Sequence, residues 1–419
     1  MMNKVGKYRW RILVLLFFAT TINYIDRQII GILKPFIAAD LGWSEADYGY
    51  IVTAFQVAYA IGLITTGRIL DKFGTRMGYL WSIIIWSIAG MAHAAARGVI
   101  GFSVARFALG LGESANFPAA VKAVSEWFPK KERAFAAGLF NSGSTVGAIV
   151  APIIVTGITV TFGWQWAFII TGGLGFIWVI FWLAYYQVPE KHPKLSPEEY
   201  QYITQDKDEL SSVNGIKWGQ LFKFKQTYAI CLTRFISDWV WWFFLFWIPD
   251  FLSKIHEINI REVVLPLVLI YTISSIGGIG GGWLSSRFIQ MGKSIDYARK
   301  TTILICALTI LPVMLVSQLQ SLWFATILIA LAAAGHQGWA SNIFTIVSDI
   351  YPRNAVGSMM GLSGFAGAVG GVLSASFIGL LLQNKGSYFL IFLFASSVYL
   401  VNWMILKLFI KEIKPIDLK

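Results

Sequence analysis

Three pairs of charged residues sit inside long apolar runs: Asp26 with Arg27, Arg106 with Glu113, and Arg234 with Asp238. Arginine keeps its charge at any working pH and offers a planar fork of N–H donors suited to a carboxylate or phosphate. A carboxylate in a partly dry setting gains proton affinity and can carry a proton. Together the two residue types have the chemistry to bind an anion and couple it to a proton.

Spacing sorts the pairs. Arg106 and Glu113 are seven residues apart, two helical turns, so they share a face at roughly 10 Å along the axis. In a bilayer each costs a few kcal/mol or more unless it meets a partner, water or a ligand, so this pair reads as functional. Asp26 and Arg27 are neighbours about 100° apart around a helix and cannot share a face, so at least one looks elsewhere. Arg234 and Asp238 are i,i+4 and can simply neutralise each other.

The elements that position these charges are transmembrane helices. The chain has 419 residues, 56% hydrophobic and only 13% charged. A soluble protein would carry about a quarter charged residues. Apolar runs long enough to cross about 30 Å of hydrocarbon recur throughout. We count twelve, with the fourth at 99–121 and the ninth at 301–318. The only two cysteines, Cys231 and Cys306, lie in apolar runs, which excludes a disulfide framework or a cysteine-rich metal site. The basic N-terminus precedes an apolar run without a small-residue cleavage site, and reads as an uncleaved first helix.

A polar stretch at 189–226 separates an N-terminal six-helix half (1–188) from a C-terminal one (227–419). Within the linker, Ser196 followed by Pro197, Glu198 and Glu199 has the makings of a helix start. The net charge of +12 invites a nucleic-acid reading, but its placement argues against one. With the N-terminus cytoplasmic, the cytoplasmic segments hold 26 of the 34 Lys and Arg, the opposite side five, and the spans three. That asymmetry predicts an N-in, C-in topology.

The halves repeat. Ser125–Pro129 before the fifth span matches Ser348–Pro352 before the eleventh at an offset of 223, which also sets Gly138 on Gly361, Gly147 on Gly370 and Glu113 on His336. Parallel six-helix halves built from smaller repeats are a transporter signature. In such a fold the first, fourth, seventh and tenth spans are equivalent, and they are the spans that carry the charges or, in the tenth, His336, Gln337 and Asn342. The economical arrangement puts these four helices around one aqueous cavity. A lone histidine is ordinarily a satisfied core residue, and the repeat relation to Glu113 is what gives His336 a functional reading.

Arg27 and Arg106 are therefore the expected anion ligands, and Asp26 and Glu113 the expected proton carriers. Tyr24, Tyr59, Asn141, Ser144, Gln337 and Asn342 can supply hydrogen bonds to hydroxyls, and Trp239 can stack on a sugar ring. Most of the 18 tryptophans read as interfacial belts, and the glycines of the fifth and eleventh spans as close helix packing.

The loop after the second span carries Gly67, Asp71, Lys72, Gly74, Arg76 and Gly78 in order and closely resembles the signature loop of the major facilitator superfamily. The matching loop after the eighth span, Gly281 to Arg287, lacks the acidic residue. Over essentially the whole chain the sequence is similar to the superfamily's anion:cation symporters, above all bacterial hexuronate transporters. The carriers are Asn23 to Arg27, Arg106 to Glu113, Ser125 to Pro129 with Glu132 and Arg133, Phe140 to Ser144, and Trp241 to Phe243. The resemblance implies that Arg27 and Arg106 contact the substrate carboxylate, that Asp26 and Glu113 carry the coupled protons, and that Asp71, Lys72 and Arg76 latch the cytoplasmic side.

The expected protein is thus an all-α membrane protein of the major facilitator fold, a monomer in a bacterial inner membrane with lipid around it. It imports a sugar acid such as glucuronate or galacturonate with protons by alternating access, without a cofactor or bound metal and without nucleic acid. The same arginines would serve a galactonate, glucarate, organophosphate or phosphate carrier. A multidrug exporter would expect fewer fixed cations. A membrane enzyme or ATP-driven pump finds no phosphate loop, since Arg287 stands five before Gly292 where the motif needs glycine, and there is no HExxH zinc motif.

Overall fold

The computed structural model describes residues 6–205, 218–384 and 387–416. They form helices α1 (Tyr8–Leu41), α2 (Glu45–Ala92), α3 (Val99–Glu113), α4 (Asn116–Trp127), α5 (Lys130–Phe162), α6 (Trp164–Tyr185), α7 (Pro197–Thr204), α8 (Trp218–Leu221), α9 (Lys225–Phe246), α10 (Ile248–Ile255), α11 (Ile260–Gln290), α12 (Ile295–Ile310), α13 (Leu322–Ile350), α14 (Arg353–Gln383) and α15 (Tyr388–Phe409). Polar residues start many of them where the sequence changes character. Ser196, Asn259, Ser294, Ser321 and Ser387 each accept a backbone N–H of the first turn, and Asn259 with Glu262 closes a reciprocal capping box. The helix start expected at Ser196 is therefore present.

Among the described residues eleven helical segments are long and apolar enough to cross a bilayer. The segment counted as α2 holds two of them, joined at Gly74, whose φ of 76° only glycine adopts freely. The fourth run expected from the sequence is not one helix. It breaks after Glu113 into α3 and α4, of 15 and 12 residues. Pro118 accounts for the position of the break: it lacks an N–H, and its ring would crowd the carbonyl four residues back, at Ser114, so it sits most easily in a first turn, here that of α4. The ninth run begins earlier than expected, at Ile295, and ends as a 3-10 helix over Leu311–Gln318, where Pro312 stands in its first turn.

Packing divides the chain into two units. Unit 1 comprises Met1–Leu33 and Ala54–Val213, and unit 2 comprises Lys34–Thr53 and Asn214–Lys419. Helices α1 and α2 thus belong to unit 1 except for the adjoining ends that hold Lys34–Thr53.

Each unit is drawn together by glycines. In unit 1 a Cβ on Gly147 of α5 would lie 2.5 Å from the Thr21 carbonyl of α1, and one on Gly110 of α3 would lie 2.5 Å from the Phe55 carbonyl of α2. In unit 2 a Cβ on Gly370 of α14 would lie 2.0 Å from the Phe235 carbonyl of α9. Gly147 and Gly370 are the repeat-related pair read from the sequence. Each lets its helix touch the backbone of the first long helix of its own half, so the internal repeat extends to packing.

Candidate functional site

In unit 1, α1 and α3 bring four buried charges together. Asp26, Arg27, Arg106 and Glu113 are each at most 4% exposed. Gly110 brings α3 against α2 at Phe55, and Gly147 brings α5 against α1 at Thr21 and Tyr24.

The pairing differs from the simplest reading of the spacing. Glu113 does not bond Arg106, two turns away on its own helix. Its Oε2 accepts from Nε of Arg27, on α1, at 2.9 Å. Arg27 also donates through an Nη to Oδ1 of Asn23 at 3.1 Å. Its guanidinium stands over the rings of Tyr59 at 4.8 Å and Tyr24 at 4.9 Å, each contact a cation–π attraction. Arg106 donates to the backbone carbonyl of Arg27 at 3.3 Å and lies over Phe55 at 4.6 Å. The same Phe55 ring lies 5.6 Å from the Arg27 guanidinium, so one aromatic ring serves both cations. Asp26 is buried next to Thr171 of α6, with Glu113 and Arg106 as its charged neighbours. Two cations and two carboxylates are buried together, and their formal charges cancel when both acids are ionised.

The other unit 1 candidates are spread around this cluster. Tyr24 and Tyr59 form its aromatic wall. Ser144 neighbours the Tyr24 phenol and donates to the Asn141 carbonyl of its own helix at 2.7 Å. Asn141 is exposed.

In unit 2 the candidates have other partners. Nδ1 of His336 and the Tyr399 hydroxyl are 2.5 Å apart, and the imidazole stacks on Trp241 at 5.5 Å with the rings 4° from parallel. Asn342 gives both amide hydrogens to backbone carbonyls, those of Gly281 at 3.1 Å and Gly338 at 2.9 Å, and so ties α13 to α11. Gln337 and Trp239 are half-buried. Trp239 stands in tilted contact with Phe243. Arg234 and Asp238 form the i,i+4 ion pair that their spacing allows, at 2.8 Å, and Arg234 adds a bond to Ser363 at 3.1 Å. Gly367 leaves the room: a Cβ there would lie 2.1 Å from the Asp238 carboxylate.

Of the signature loop, the Asp71 side chain lies outside the described residues. Arg76 donates to Oε1 of Gln187 at 2.7 Å and to the Leu183 carbonyl at 3.0 Å, fastening the loop to the end of α6 within unit 1. Lys72 is exposed beside Phe73.

Sequence reasoning gave no site role to four contributors. Asn23 stands one turn before Arg27, and that spacing was the available signal. Phe55 carries no sequence signal beyond being aromatic. Gln28 and Gln56 are buried in unit 1, and neither end of either side-chain amide has a protein partner. A glutamine in an apolar span is the same kind of signal as a charge, at lower cost.

The sequence profile of the Major Facilitator Superfamily matches residues 16–295. The chain is 32% identical to the hexuronate transporter of Escherichia coli K12 over 389 residues, 92% of this chain and 90% of that protein. It is 34% identical to the galacturonate transporter of Dickeya chrysanthemi over 312 residues, 73% of this chain and 90% of that one. Among solved structures it is similar in fold to a bacterial homologue of the human lysosomal transporter Spinster in an inward-facing, unoccupied conformation. The TM-score is 0.76 at 18% identity, over 97% of this chain and 99% of that one.

Proposed function

The chain belongs to the major facilitator superfamily, a family of membrane transporters and not of enzymes, and on that premise we propose that it is a proton-coupled symporter of a sugar acid. The substrate class is hexuronate, glucuronate or galacturonate, the chemistry named for its relatives. The chain crosses a bacterial inner membrane twelve times, counting α3 with α4 as one broken crossing, with both termini in the cytoplasm. It works as a monomer by alternating access of its two halves.

The observation that carries this reading is the buried Arg27–Glu113 ion pair. With Glu113 ionised, Arg27 is already neutralised and has little to offer an incoming anion. With Glu113 protonated, the guanidinium fork turns to the substrate carboxylate, which Arg106, beside the same Phe55 ring, also contacts. The charge count makes the coupling compulsory. The cluster is neutral with both acids ionised, so an anion arriving alone would leave a net buried charge in a medium that penalises it by several kcal/mol. One anion with one proton restores neutrality. Asp26, buried beside Glu113 and Arg106, is the second carboxylate able to take a proton.

Around that centre Tyr24, Tyr59 and Ser144 bond substrate hydroxyls, and Gln28 and Gln56 add amide donors and acceptors that the protein leaves unused. Asn141 is the remaining candidate of unit 1, and in unit 2 the proposed substrate contacts are Gln337, Trp239, the Oδ1 of Asn342, and His336, held in orientation by Tyr399 and Trp241. The loop of Asp71, Lys72 and Arg76 governs the cytoplasmic side.

Uptake of labelled glucuronate and galacturonate into proteoliposomes tests this. Accumulation driven by an inward proton gradient, with competition by uronates and none by phosphate esters, is expected. Competition by phosphate esters would move the substrate to the organophosphates. Uptake indifferent to the gradient would remove the coupling.

A further inference from the structure

A second buried charge cluster lies in unit 2, and the transport site does not use it. Nζ of Lys34, at the end of α1 far from the N-terminus, contacts Oε2 of Glu45 and Oδ2 of Asp250, both at 2.6 Å. Lys254 bonds the other oxygen of Glu45 and stands 3.3 Å from Asp250. The Tyr388 hydroxyl donates to the same Asp250 oxygen at 3.0 Å. Lys34 and Asp250 are essentially inaccessible, and the Lys34 ammonium also lies over the Tyr48 ring. The Tyr48 hydroxyl donates to the Phe246 carbonyl at 2.7 Å. Burial works against the Lys254 ammonium, but Asp250 and Glu45 outweigh it and hold its proton affinity above that of an ordinary lysine.

The chain segment that carries this cluster is unusual. Lys34–Thr53 packs with unit 2, while the rest of α1 and α2 packs with unit 1. Two long helices therefore pass from one unit into the other through this turn. Beside the ion pairs the turn is also held by close contacts of small residues. Gly49 and Gly379 touch backbone to backbone, and the hydroxyls of Thr53 and Ser376 are 2.9 Å apart.

We infer that Lys34, Glu45, Asp250 and Lys254 form a four-charge latch, which holds the α1–α2 turn on α9, α10, α14 and α15 in one state of the transport cycle and opens in the other. Ionic contacts suit a latch because released side chains regain hydration, whereas a fused apolar contact offers no such compensation. The inference rests on alternating access as proposed above, but on no particular substrate.

Disulfide trapping tests it. In a background with Cys231 and Cys306 replaced by alanine, the pair Thr53→Cys and Ser376→Cys sits where two cysteines can bridge. The rate of bridge formation then reports how often the turn is docked. The unsubstituted latch is expected to bridge readily. Asp250→Asn leaves Lys34 buried and half-neutralised, and is expected to slow bridging about tenfold or more, since breaking a buried pair is far costlier than removing it whole. Lys34→Met with Asp250→Asn removes both buried charges and is expected to recover most of the rate, the coupling that a double-mutant cycle reads. Unchanged bridging in Asp250→Asn overturns the latch. Further slowing in the double variant also overturns it, because it indicates general damage. Failure of the unsubstituted latch to bridge shows that the docked state is not occupied and overturns it too. No arm uses a sugar acid, so a wrong substrate leaves this result readable.

Discussion

Arg27 and Glu113, 86 positions apart in sequence, meet in unit 1 at 2.9 Å with almost no exposure to solvent. Each is the main compensation for burying the other. Glu113→Ala should strand the guanidinium and lower stability by about 3–5 kcal/mol, while Arg27→Met with Glu113→Leu should recover much of the loss. Thermal unfolding of the purified protein in detergent measures both. A double variant no more stable than Glu113→Ala would show that the pair is not the relevant unit.

Arg106 is fixed by shape as much as by charge. Its fork reaches the Arg27 carbonyl while its plane covers Phe55. A lysine keeps the charge but not the planar fork. Arg106→Lys should therefore raise the substrate concentration for half-maximal uptake by at least about tenfold, each factor of ten corresponding to about 1.4 kcal/mol. Uptake curves that overlay those of the unsubstituted protein would contradict the assignment.

Phe55 offers its ring to both guanidinium groups. Phe55→Leu keeps an apolar side chain and removes the cation–π attraction, which is about 0.5–2 kcal/mol per contact. A several-fold weaker apparent affinity with normal protein yield is the expected outcome of the same uptake measurement.

The glycines of α5 separate packing from mere composition. Gly147→Val would drive a side chain into the Thr21 carbonyl, whereas a Cβ at Gly138 meets nothing within 4 Å. Overpacking of this kind costs about 1–3 kcal/mol. Thermal unfolding should fall for Gly147→Val and stay level for Gly138→Ala.

Glu199 of α7 accepts the backbone N–H groups of Tyr8 and Arg9 and the Arg9 guanidinium, and its side chain is 2% exposed. It fastens the linker helix to the start of α1. Glu199→Ala leaves the two buried backbone N–H groups of Tyr8 and Arg9 unmatched, while the Arg9 guanidinium keeps Gly6 and Glu132, and should cost about 1–3 kcal/mol in the same unfolding assay.

Much of the architecture was legible because a bilayer leaves few options. Long apolar runs must be helices, buried charges must be paired or used, and the repeat offset of 223 relates Gly147 to Gly370 in packing as well as in sequence. The break after Glu113 was also written in the sequence, at Pro118, but an apolar count alone does not see it. Partner choice was harder. Spacing shows that Arg106 and Glu113 share a face, yet only the approach of α1 to α3 shows that Glu113 turns to Arg27. The charges of the Lys34–Asp250 cluster were visible as residues near the ends of spans, where charge is unremarkable. Their burial depends on a fold that brings positions 216 residues apart together.

The central claim is that Glu113 carries the coupled proton by competing with the substrate for Arg27. The most direct measurement compares Glu113→Gln with the unsubstituted protein in proteoliposomes loaded with glucuronate or galacturonate. One arm follows exchange of labelled substrate across the membrane, and the other follows accumulation driven by an inward proton gradient. The account predicts that Glu113→Gln retains exchange, loses gradient-driven accumulation, and no longer changes its exchange rate with pH. Accumulation by Glu113→Gln at the unsubstituted level would contradict it and place the proton elsewhere.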